Sequence, residues 1–79
     1  MNMSLKLNFD YWPEIETNCS VLVRNSCIIL GIKTMEELLR RAEKLDEEFL
    51  ENFSEESIEE IETIREIIKE KKLVPPSYN

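Results

Sequence analysis

Two cysteines, Cys19 and Cys27, and the absence of any histidine define the covalent chemistry open to this chain. A thiol becomes a nucleophile beside a base, a metal ligand beside further cysteines or histidines, and a cross-link where a small secreted fold needs one. Cys19 and Cys27 lie eight apart without such neighbours, so free thiols are expected, with no metal and no cofactor. No serine or cysteine is paired with a base in a recognisable arrangement. The expectation is a non-catalytic protein.

What remains is electrostatic. The formal charge is −7, and its distribution is uneven. Ten acids fall between Glu43 and Glu62 against Lys44 alone, so the rest of the chain is slightly cationic. A surface this acidic repels phosphate backbones and favours basic protein surfaces. Most of these carboxylates are expected to solvate exposed helix faces. Glu55 and Glu56 differ, because they follow Ser54 at the expected start of a helix, where unpaired N–H groups attract anions.

The elements that position these groups are mostly helical. At 79 residues and 42% apolar composition the chain has room for one modest core. Ser20 is an expected N-cap for a first helix over Val21 to Leu30, and Gly31, the only glycine, stands where a left-handed C-terminal residue belongs. Thr34 and Glu37 form a capping box for a second helix with Met35, Leu38 and Leu39 on its apolar face. A short third helix is expected after Asp46, turning Phe49 and Leu50 inward. Ser54 caps the last, with Ile58, Ile61, Ile64 and Ile68 at helical spacing and Lys69, Lys71 and Lys72 at its end. Upstream, Leu5, Leu7, Phe9 and Tyr11 alternate as in a strand until Trp12-Pro13 ends the pattern. The fold class is therefore all-α: a compact four-helix domain over 20–73, preceded by an extended arm over 1–19 and followed by an exposed tail over 74–79.

Several short motifs in this order resemble the C-terminal domain of the bacterial RNA polymerase α subunit, a paired helix-hairpin-helix module. They are Pro13, Ser20-Val21, Asn25, Gly31-Ile32, Thr34, Leu38-Leu39, Asn52-Phe53, Ser57-Ile58-Glu59-Glu60-Ile61 and Leu73. The resemblance spans about Pro13 to Leu73, with a small insertion between Ala42 and Glu51. It implies DNA binding by two helix starts laid against the minor groove, where an arginine, lysines and backbone amides meet phosphate. Here the family arginine aligns with Leu22, a further lysine with Ile28, the close-approach glycine with Ser54, and the remaining lysines with Glu55 and Glu56. Arg24, Asn25, Lys33 and Ser57 alone keep a DNA-compatible character.

With those charges gone, helix one is apolar on nearly every side except a strip at Arg24 to Ser26. A helix in so small a domain buries one face, so part of Leu22, Val23, Ile28 and Ile29 needs another cover. One reading has the N-terminal arm fold back over it. The other has Leu22, Val23, Ile28 and Ile29, with Ser54, Glu55 and Glu56, dock a protein partner, one of the transcription apparatus as the resemblance implies, while the arm is free to pair two chains as a homodimer. The alternatives are a weak DNA-binding domain using Arg24, Asn25, Lys33 and Ser57, or an acidic DNA mimic. The longest apolar run, Cys27 to Leu30, is too short for a signal peptide or a membrane span, so a cytoplasmic location is expected.

Overall fold

The computed structural model describes Leu7 and residues 9–75. Among these residues the fold is all-α, with five helices: α1 (Ile15–Asn18), α2 (Val21–Leu30), α3 (Met35–Lys44), α4 (Glu47–Asn52) and α5 (Glu55–Lys71). The four longer helices fall where their caps place them. Ser20, Thr34, Asp46 and Ser54 each accept a hydrogen bond from the backbone N–H three residues on, at Val23, Glu37, Phe49 and Ser57. Glu37 closes its box on the Lys33 N–H, at 3.4 Å, one residue earlier than the motif implies. No helix among the described residues is long and apolar enough to cross a membrane.

The helix ends are equally specific. Gly31 adopts φ 72°, and the N–H groups of Gly31 and Ile32 return to the Ile28 and Cys27 carbonyls, which turns the chain from α2 toward α3. Lys72 closes α5 with the same geometry, its left-handed φ of 55° letting the Leu73 N–H reach the Ile68 carbonyl. Leu45 stops α3 at φ 48° without glycine's freedom.

α2 packs against α4, and α3 against α5. Val23 and Cys27 from α2, Met35 and Leu38 from α3, Phe49 from α4, and Ile61 and Ile64 from α5 form the centre of the core. Phe49 and Phe53 stack with centroids 4.1 Å apart, carrying the short α4 into its turn. Arg65 ties α5 to α3 by donating to the Leu39 carbonyl at 2.9 Å and pairing with Glu43 at 3.2 Å.

Three expectations are corrected. The segment before α2 is not an extended arm throughout: α1 adds one helical turn, with Ile15 and Asn18 buried and the Asn18 amide donating to the Glu14 carbonyl. Four residues carry too little periodicity to announce a helix. The alternating segment forms no strand among the described residues. Phe9 is buried, Leu7 packs on the core, and Lys71 Nζ sits 5.5 Å from the Phe9 ring, whereas Tyr11 is exposed and Leu5 lies outside the described residues. Leu50 is exposed, because α4 turns Phe49 into the core and Phe53, one turn on at its C-cap, follows it on the same side.

Candidate interaction face

α2 positions the face. Its inward residues, Val23, Ser26 and Cys27, recur at three- and four-residue spacing and are buried. The opposite side carries Val21, Leu22, Asn25, Ile28 and Ile29, all exposed: Val21 60%, Leu22 51%, Ile28 76% and Ile29 67%. Four aliphatic side chains and one amide thus line a surface where a solvated helix would carry charge. Of the residues expected to cover it, Phe9 is buried beside Lys71 near the end of α5 and Tyr11 is exposed.

Two predicted contact residues move inward. Val23 has no exposed surface and belongs to the core rather than to the partner-binding set. Ser57 is 1% exposed; its N–H donates to Ser54 Oγ and its hydroxyl accepts from the Ser54 hydroxyl, both at 3.2 Å, so it completes a helix cap and is closed to DNA. Ser26 also leaves the polar strip, donating its hydroxyl to the Asn52 carbonyl at 2.6 Å. That bond places the α4–α5 turn along one edge of α2. Val21, unflagged by the sequence, joins the exposed face because it lies one turn from Asn25 and two from Ile28.

The two edges of α2 differ in charge. Glu60 accepts a 2.7 Å hydrogen bond from the Ser20 N–H, which ties α5 to the start of α2. Glu56 is exposed one turn before Glu60 on α5, with exposed Ser54 and Glu55 ahead of it. On the other side Arg24, Asn25 and Lys33 line a groove of about 560 Å³ with Ile15, Glu16 and Ile28. Neither Arg24 nor Lys33 forms an ion pair among the described residues, and Arg24 Nε is buried without a hydrogen-bond partner. The structure thus brings Arg24, Asn25 and Lys33 together and leaves Ser57 apart.

Both helix starts that the resemblance assigns to phosphate carry carboxylates of the chain itself. Glu60 occupies the start of α2, and Glu55 and Glu56 occupy the first turn of α5. The Glu60 contact joins residues forty apart, and no local signal in the sequence announces it. The thiols lie beneath the face. Burial, then the Glu60 carboxylate, pushes Cys19 up to about 12, with Arg24 opposing; burial, then Glu37 and Glu60, pushes Cys27 up to about 11. Both are free and protonated at neutral pH. Among the described residues no group of three or more metal-ligating side chains converges.

The chain matches no protein-family model, no curated protein and no solved structure. The likeness to the polymerase α C-terminal domain rests on the residues quoted for it alone.

Proposed function

We propose that this chain is a non-catalytic interaction module that docks a protein through the outward face of α2 and the adjoining start of α5. The observation that carries this reading is the set Val21, Leu22, Ile28 and Ile29, half to three-quarters exposed on one face of one helix. An apolar centre with a charged rim is the composition of a protein-binding patch. Ser54, Glu55 and Glu56 supply part of the rim. The resemblance supports a role in transcription, with a DNA-binding framework turned to protein recognition.

A second reading, weak DNA binding, draws on the groove where Arg24, Asn25 and Lys33 meet without internal ion pairs. Two cations beside so many carboxylates make it the weaker of the two. Site-specific photocrosslinking separates them. A benzophenone amino acid at Ile28 is expected to yield protein adducts in cells that make the chain, while the same group at exposed Arg40 on α3 yields none. Nucleic-acid adducts from Ile28, or no adduct beyond the Arg40 background, would contradict protein docking.

A further inference from the structure

The face has a property that narrows its partner: cations lie on one side of it and the acidic start of α5 follows the turn on the other. Arg24 stands about 200° around the helix from Ser26, at 100° per residue, and Ser26 marks the edge where the α4–α5 turn lies. The chain leaves α4 at Asn52, whose carbonyl accepts from Ser26, and reaches Glu60 on α5, which accepts from the Ser20 N–H; Glu56 lies midway in sequence between these two contacts to α2. Arg24 is the middle of α2 on the other edge. That edge also carries Lys33 and Glu16 and stays net positive; the α5 edge carries Glu56, preceded by Glu55.

An apolar strip with one positive and one negative edge is complementary to itself in one orientation. If two copies face each other about a two-fold axis parallel to α2, the positive edge of each meets the negative edge of the other. If the axis lies across α2, like meets like. Symmetric pairing is the commonest form of self-association, and its contacts repeat, so a favourable edge pair counts twice.

The area is adequate for a modest dimer. At their observed exposures Val21, Leu22, Ile28 and Ile29 present on the order of 400–500 Å² per copy. Two copies with Asn25 and the charged edges reach the lower end of the roughly 1,200–2,000 Å² typical of specific interfaces.

We propose that the partner of this face is a second copy of the chain, the two α2 helices packing side by side in parallel so that Arg24 of each faces Glu56 of the other. This rests on the protein-docking reading above and deepens it. Sedimentation equilibrium of the full chain, from about 10 µM to about 1 mM to match a small interface, tests it with four variants. Circular dichroism checks that each stays folded.

The wild type should pass from monomer to dimer across that range, and Ile28→Arg should remain monomeric. Arg24→Glu and Glu56→Arg should each weaken the dimer about tenfold, and the double variant should regain most of that loss. A wild type monomeric throughout overturns self-pairing, and the photocrosslink at Ile28 then judges docking of other proteins on its own. A dimer indifferent to Ile28→Arg overturns self-pairing on this face, and the photocrosslink at Ile28 again judges docking of other proteins on its own. A dimer broken by Ile28→Arg but not restored by the double reversal overturns the parallel arrangement.

Discussion

Glu60 takes at the start of α2 the place that phosphate takes at an open helix terminus, and its 2.7 Å bond to the Ser20 N–H belongs to the chain's own architecture. Single residues decide what each surface can bind. Leu22 and Val23 are neighbours of similar chemistry, yet one is half exposed and the other is core, because 100° of helix rotation separates them. The sequence revealed that α2 is too apolar for a small domain; it could not divide Leu22 from Val23, since that depends on where α4 and α5 approach. The thiols give a testable consequence at this scale. Cys27 and Cys19 stand at about 11 and about 12 when folded, against an ordinary value of 9.0. A raised thiol pKa means the unfolded chain releases its proton first, so the stabilisation is complete below pH 9 and is lost as pH rises through 11 to 12. Urea unfolding at pH 8 and pH 10.5 is expected to show this decline, and Cys19→Ala/Cys27→Ala should show a smaller one. Equal declines would remove the thiols from the account.

At the scale of elements, local chemistry was legible wherever it is self-contained. Ser20, Thr34, Asp46 and Ser54 fix four helix starts through side chains three residues from their partners, and Gly31 fixes the turn after α2 through its own backbone. α1 was not legible, because Ile15–Asn18 is held by burial of Ile15 and Asn18 against the rest of the molecule. Nor was the fate of the alternating segment, whose Phe9 finds a place in the core and beside Lys71 without a strand partner. Gly31 offers a direct check. Its added Cβ meets nothing within 4 Å, so Gly31→Ala should cost only the left-handed backbone preference. That is about 1 kcal/mol, or a fall of roughly 4–8 °C in Tm for a domain of this size. No loss would mean the chain leaves α2 by another turn.

Across the whole molecule, the charge arrangement and the apolar face point the same way. Glu55 and Glu56 stand in the first turn of α5, Glu60 fills the start of α2, and the cations Arg24 and Lys33 line one groove. A duplex approaching this side meets carboxylates at both helix starts and aliphatic side chains between them. The apolar character at Leu22 and Ile28 and the acidity at Glu55 and Glu56 were visible in the sequence. The closure of α2 by Glu60 required the fold. The most direct test of the central claim, that this face is built for protein and not for phosphate, is a ¹⁵N NMR titration with short duplex DNA at about 20 mM salt, where electrostatic binding is strongest. The account predicts no saturable shifts at Asn25, Lys33 or the α2 and α5 starts. Shifts at those amides that saturate and then vanish as salt is raised would contradict it.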